Sequence, residues 1–320
     1  MALIINFLIL VLGLIVLVKG ADWLVDGASA IAKRLKISDL AIGLTIVAFG
    51  TSAPELVVNV IGSINDYDNI VFGNVIGSNN FNLFIILGIA GMITPLVVKS
   101  STVWREIPYS LLAVGILAFL ANGIFHGGVK TLNWFDGIIL LIFFASFLIY
   151  VYRQLKSDPE SHPEQQKMIA TKWATLMIIG GLAGLVIGGK LVVDNAIDIA
   201  KALNVSDKII GLTIVAAGTS LPELATSVVA ALKKNNDIAV GNIVGSNIFN
   251  IFLILGVSSL ISPLDYDVVF NRDLVILVIG TLFVFGAMFV GKRHTLDRWQ
   301  SVLILIAYIG YVVYMVTQEV

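Results

Sequence analysis

Residues 43–56 read GLTIVAFGTSAPEL, and residues 211–224 read GLTIVAAGTSLPEL. Each copy sets a glutamate, Glu55 or Glu223, directly after a proline and four residues after a threonine, within a stretch otherwise apolar enough to span a bilayer. A charge at that depth costs at least ~2.5 kcal/mol and by default marks a functional site. Pro54 and Pro222 lack a backbone N–H, so the carbonyls of Gly50 and Gly218 lose their helical partners. Such carbonyls survive in a membrane only when buried in protein or turned toward water or an ion. Thr51 and Ser52 share a helix face with Glu55, and Thr219 and Ser220 share one with Glu223. Carboxylate, hydroxyl and freed carbonyl are all oxygen ligands, the set that hard cations prefer.

Composition sets the environment. Hydrophobic residues make up 58% of the chain and charged residues 13%, with mean hydropathy +0.97, outside the range of soluble domains. The chain is therefore an all-α polytopic membrane protein with the lipid bilayer as its surroundings. No basic run points to nucleic acid, no obligate protein partner is evident, and the absence of cysteine removes disulfides and thiolate metal sites. Residues 2–18 lack a basic leader and read as a retained first helix rather than a signal peptide.

Bilayer-length apolar segments fall at 2–32, 40–64, 70–95, 103–122, 134–152, 172–200, 208–232, 238–262, 273–291 and 299–317. Ten transmembrane helices are expected, with residues 153–171, containing Pro159, Pro163 and mixed charges, as the linker between halves 1–152 and 172–320. The halves are copies: an offset of 168 aligns residues 43–88 with 211–256 without a gap, and roughly 25 of the 46 positions are identical. Asp26 falls on Asp194, and Pro95 on Pro263. With ten spans, Lys33, Arg34, Lys36, Lys99, Arg105, Arg153, Lys156, Lys167, Lys172, Lys233, Lys234, Lys292, Arg293 and Arg298 lie on one side. Lys130, Lys201, Lys208 and Arg272 lie on the other, which puts both termini outside and the linker in the cytoplasm. Five spans per half, an odd number, then make the two copies inverted repeats, an architecture of secondary transporters.

The third and eighth spans carry GNVIGSNNFN at 73–82 and GNIVGSNIFN at 241–250. Asn74, Ser78 and Asn82, and their copies Asn242, Ser246 and Asn250, follow an i, i+4, i+8 stripe that must turn into the bundle rather than toward lipid. The glycines of these motifs are explained by close helix packing, which does not account for paired carboxylates. Asn74 and Asn242 are either ligands or supports of ligands. Lys19, Asp22 and Asp26 in the first span, and Lys190, Asp194 and Asp198 in the sixth, read as ion-paired or snorkelling groups near a membrane face. His126, His162 and His294 have no metal-ligand spacing.

These motifs resemble the two alpha-repeats of the cation/calcium antiporter superfamily, specifically its sodium/calcium exchanger branch: GTSAPE with GNVIGSNNFN looks like the first, GTSLPE with GNIVGSNIFN like the second. The resemblance implies that Glu55 and Glu223 are the central Ca²⁺ ligands and also serve Na⁺. It further implies that Thr51, Ser52, Thr219, Ser220, Ser78, Ser246, Asn82 and Asn250, with the carbonyls of Ala48 and Ala216, complete overlapping sites for the transported ions. No cofactor is expected. The first and sixth spans would slide across the rest to alternate access. Proton-exchanging members commonly place a glutamate where Gly77 and Gly245 stand here, and some members, including potassium-dependent ones, carry an aspartate in place of Asn250. The short linker leaves no room for a calcium-sensing domain, which suggests a prokaryotic cell membrane.

The expected activity is Ca²⁺/Na⁺ antiport. Two carboxylates neutralise one Ca²⁺, neutral oxygens fill its remaining positions, and several Na⁺ compete for the same atoms. Three Na⁺ against two carboxylates would leave one net charge and make exchange electrogenic. Protons shared by the neighbouring glutamates should inhibit. A calcium/proton antiporter of the same fold is the nearest alternative, and a cation channel a more distant one. No HExxH or Ser–Lys arrangement supports an intramembrane enzyme.

Overall fold

The computed structural model describes residues 2–124, 127–157, 169–203 and 216–319. Within them the chain is helical apart from short connections and four two-residue strands. The helices are α1 (Ala2–Leu35), α2 (Asp39–Thr51), α3 (Ala53–Ile64), α4 (Asp68–Ile93), α5 (Thr102–Ala121) and α6 (Trp134–Ser157). After them come α7 (Thr171–Ala202), α8 (Leu221–Leu232), α9 (Asn236–Ile261), α10 (Val268–Ala287) and α11 (Arg298–Glu319). Among the described residues seven helices are long and apolar enough to cross a membrane, and α2 with α3 makes an eighth span bent by 48°. α8 (Leu221–Leu232) and the Arg298–Tyr314 part of α11 are shorter apolar stretches, and the amino-terminal part of the span expected at 208–232 lies outside the described residues. The chain is thus a multi-pass, all-helical membrane protein.

Burial sorts the helices into layers. In α9, 89% of the most apolar window is buried inside the protein, and in α4 67%, against 17% in α1 and 22% in α7. The polar motifs thus occupy the innermost helices, while α1 and α7 present Leu8, Ile15, Ile179 and Ile187 outward. An apolar exterior around a polar centre suits a protein whose solvent is hydrocarbon.

The outer pair is held backbone to backbone. α1 and α7 run antiparallel, with Gly13, Gly20 and Gly27 against Gly188, Gly181 and Ala174. A Cβ on Gly20 would stand 2.7 Å from the Leu185 nitrogen, and one on Gly181 2.7 Å from the Leu24 nitrogen. Small residues one heptad apart give each helix a flat stripe, and dispersion between the two backbones supplies the adhesion that the hydrophobic effect does not supply in lipid. The acidic pair on α1 finds its partner elsewhere: Lys233, just after α8, lies 2.6 Å from both Asp22 and Asp26, whereas Lys19 stands 3.9 Å from Asp22.

Four short strands link the connections. β1 (Leu96–Val97) pairs antiparallel with β4 (Thr295–Leu296), and β2 (Thr131–Leu132) with β3 (Leu264–Asp265). Leu96 and Leu264 are the same position in the two copies, so each half lends its strand to the other.

Candidate cation-binding site

Both copies of the GTSxPE motif break their helix at the serine. Ser52 has φ −84° and ψ 7°, and Ser220 has φ −88° and ψ 5°, close to the bridge region. The carbonyls freed by the two prolines are those of Gly50 and Gly218. The break falls two residues later because Pro54 and Pro222 take the first turn of a new helix, where a missing N–H costs nothing. Glu55 and Glu223 therefore sit in the first turn of α3 and α8, and both are 0% exposed.

The two breaks face each other and exchange hydrogen bonds. The Ser52 hydroxyl donates to Glu223 Oε1 at 2.8 Å, and the Ser220 hydroxyl donates to Glu55 Oε1 at 3.3 Å. The Ser246 hydroxyl adds a 3.4 Å bond to Glu223 Oε1. Thr51 donates to Asn242 Oδ1 at 3.0 Å and Thr219 to Asn74 Oδ1 at 3.3 Å. Thr51 also donates to the Ala48 carbonyl at 3.3 Å, which in addition accepts the Ser52 N–H at 3.0 Å. Ala216 opens the short helical turn Ala216–Gly218 ahead of the second break.

Asn74 and Asn242 act as braces. The Asn74 amide donates to the Glu55 carbonyl (3.4 Å) and to Asn59 Oδ1 (2.6 Å), while the Asn242 amide donates to the Glu223 carbonyl (3.4 Å) and to Ser227 (3.0 Å). Their oxygens are occupied by the threonines, which places these two residues around the site as supports. Asn59 and Ser227, the same position in the two copies, escaped the sequence reading because their partners lie a helix away.

The stripes of α4 and α9 supply the remaining candidate residues. Ser78, Asn82, Ser246 and Asn250 are all within 1% of full burial. Asn82 and Asn250 each lie in a π-helical turn, Phe81–Ile86 and Phe249–Ile254, a distortion that often accompanies function. Glu55 Oε2, Glu223 Oε2, Ser78 Oγ, Asn82 Oδ1 and Asn250 Oδ1 are buried and accept or donate no hydrogen bond within the protein. Buried polar atoms are normally satisfied, and this set is almost entirely acceptor oxygen. It suits a hard cation. Among the described residues there is no group of three or more His, Cys, Asp or Glu that could hold a metal ion.

Two buried carboxylates met by serine hydroxyls inside an apolar helical protein form a candidate site for a small hard cation. A family model described as Sodium/calcium exchanger protein matches residues 5–153 and 173–317, and the chain belongs to that family of antiporters. It is 33% identical to the sodium/calcium exchanger MaX1 of Methanosarcina acetivorans, over 97% of this chain and 98% of that protein. It is 36% identical to the uncharacterized membrane protein MJ0091 of Methanocaldococcus jannaschii, over 88% and 89%. The solved structure of the sodium-calcium exchanger NCX_Mj, soaked with 2.5 mM Na⁺ and 0.1 mM Ca²⁺, superposes with a TM-score of 0.80 at 35% identity, covering 96% of this chain and 97% of that one.

Proposed function

We propose that this chain carries Ca²⁺ across a prokaryotic cell membrane in exchange for several Na⁺, by alternating access at the Glu55/Glu223 site. One observation carries the reading: two fully buried carboxylates from matching helix breaks each accept a bond from the facing break's serine and keep a second oxygen without a protein partner. One Ca²⁺ balances the pair, with Ser52, Ser220, Thr51, Thr219, Ser78, Ser246, Asn82 and Asn250 supplying neutral oxygen and the Ala48 and Ala216 carbonyls the remainder. Na⁺ uses the same atoms, so the two cargoes exclude each other through repulsion and shared ligands. Three Na⁺ would exceed the carboxylate charge by one, which makes the exchange electrogenic.

The architecture we infer is ten spans in two inverted five-helix repeats, 1–152 and 172–320, joined by a cytoplasmic linker at 153–171, with both termini outside. Support comes from the paired character of the contacts: the Ser52–Glu223 and Ser220–Glu55 bonds, the Thr51–Asn242 and Thr219–Asn74 bonds and the two exchanged strand pairs each form a reciprocal couple between the copies. The glycine-lined α1–α7 pair is the element suited to slide as one body. Uptake of ⁴⁵Ca²⁺ into proteoliposomes preloaded with Na⁺, against K⁺-loaded and pH-jump controls, tests the function. Uptake that follows the sodium gradient is expected. Uptake that follows only the pH jump would move the chain to proton exchange, which the sodium/calcium exchanger relatives disfavour.

A further inference from the structure

Asn79 and Asn247, one residue past the serines of the two stripes, face each other between α4 and α9. The Asn79 amide donates to the Asn247 backbone carbonyl at 3.1 Å, and the Asn247 amide donates to the Asn79 backbone carbonyl at 3.4 Å. A backbone carbonyl can only accept, so each of these amides must point its nitrogen there and its oxygen away. Those oxygens meet the candidate ligands: Asn82 Nδ2 donates to Asn247 Oδ1 at 3.1 Å, and Asn250 Nδ2 donates to Asn79 Oδ1 at 3.0 Å. An oxygen there can only take a donor. The nitrogens of Asn82 and Asn250 are thereby held toward Asn247 and Asn79, and their oxygens, buried and without a protein partner, are left for the site.

We propose that Asn79 and Asn247 are positioning residues that fix the side-chain amides of Asn250 and Asn82 so that oxygen, not nitrogen, is offered to the cation. A flipped amide would present a donor to Na⁺ or Ca²⁺ and repel it. The orientation is dictated from two main-chain carbonyls through two relayed amides, each crossing between the copies. This rests on the cation site proposed above. Groups that orient ligands typically change metal affinity by roughly 10–100-fold when lost.

Calorimetric titration of Ca²⁺ into the purified full-length protein in detergent tests the role without requiring transport. Asn79→Leu is expected to weaken Ca²⁺ binding by about tenfold or more. In an Asn250→Asp background, where either face offers oxygen, the same substitution should cost under about threefold, within ordinary mutational scatter. Asn247→Leu should behave likewise with Asn82→Asp. Asn80→Leu, which removes a 3.1 Å bond to the Asp273 carbonyl in α10, is the control for a merely structural bridge, with lower yield and unchanged affinity. Asn79→Leu binding Ca²⁺ like the parent, or weakened equally in both backgrounds, would overturn the proposal, as would a parent that binds no Ca²⁺. A parent that binds Ca²⁺ but shows no sodium-driven uptake would overturn the exchange reading alone.

Discussion

Ser52 and Glu223 are joined across the two copies of the motif by a 2.8 Å hydrogen bond, shorter than the 3.3 Å bond from Ser220 to Glu55. Glu223 also accepts from Ser246, so the two carboxylates are held unequally although their local sequences match. Bonds to an ionised group contribute about 1.5–3 kcal/mol, and the shorter one should contribute more. Ser52→Ala is therefore expected to raise the Na⁺ and Ca²⁺ half-saturation concentrations further than Ser220→Ala. Initial uptake rates across a concentration series of each ion measure this. Equal effects would mean that the inequality does not persist once ions are bound.

Glu55→Gln and Glu223→Gln keep an oxygen that accepts from the facing serine while removing one charge. The protein should still fold, because the serine keeps its partner. Removing one partner of a buried carboxylate–cation pair costs about 3–5 kcal/mol, which corresponds to roughly 150-fold to 4,000-fold weaker Ca²⁺ binding. Sodium-dependent ⁴⁵Ca²⁺ uptake should fall to background in both variants, with normal elution on size exclusion. Uptake surviving both substitutions would displace the site.

The α1–α7 seam has no room for side chains. Gly20→Val would drive atoms into the backbone at Leu185 and Gly181, an overpacking cost of about 1–3 kcal/mol. Gly115, inside α5, has nothing within 4 Å of the position a Cβ would take. Gly115→Ala should leave stability unchanged or raise it by up to about 1 kcal/mol through helix propensity. Thermal unfolding in detergent separates the two, with a lowered midpoint expected only for Gly20→Val.

Lys233 bridges Asp22 and Asp26 at 2.6 Å, and all three side chains are partly exposed, at 29%, 34% and 46%. An exposed ion pair contributes about 0.5–1 kcal/mol and is screened by salt. Lys233→Gln should change the exchange rate by a factor of roughly 2–5 at low ionic strength. The difference should vanish near ~1 M salt, where the Debye length is about 3 Å. A difference that persists at high salt would assign Lys233 a role other than this electrostatic tie.

Much of the site was legible because its chemistry is local. Glu55 and Glu223 announce themselves by sitting beside a proline in apolar surroundings, and the duplication doubles the signal. The stripe Asn74, Ser78, Asn82 and its copy follow from helical spacing alone. What stayed hidden depends on pairing between distant segments. Lys19 does pair with Asp22, at 3.9 Å, but the cation that bridges Asp22 and Asp26 at 2.6 Å is Lys233, over 200 residues away by numbering. Asn79 and Asn247 lie one residue off the stripe and so fell outside the spacing argument, although their identity in both copies was the available clue. The π-helical turns at Asn82 and Asn250 have no periodicity that distinguishes them from ordinary helix.

The exchanged strands bear on synthesis. Leu96 and Val97 cannot find their partners until residues 295–296 have been made, and Thr131 and Leu132 wait for residues 264–265. Helices of the amino-terminal half must enter the bilayer and persist there with their connecting edges unpaired through most of translation. The last fifth of the chain supplies both missing strands, so a ribosome stalled before residue 264 holds inserted helices with neither clasp, and one stalled between residues 265 and 295 lacks the second.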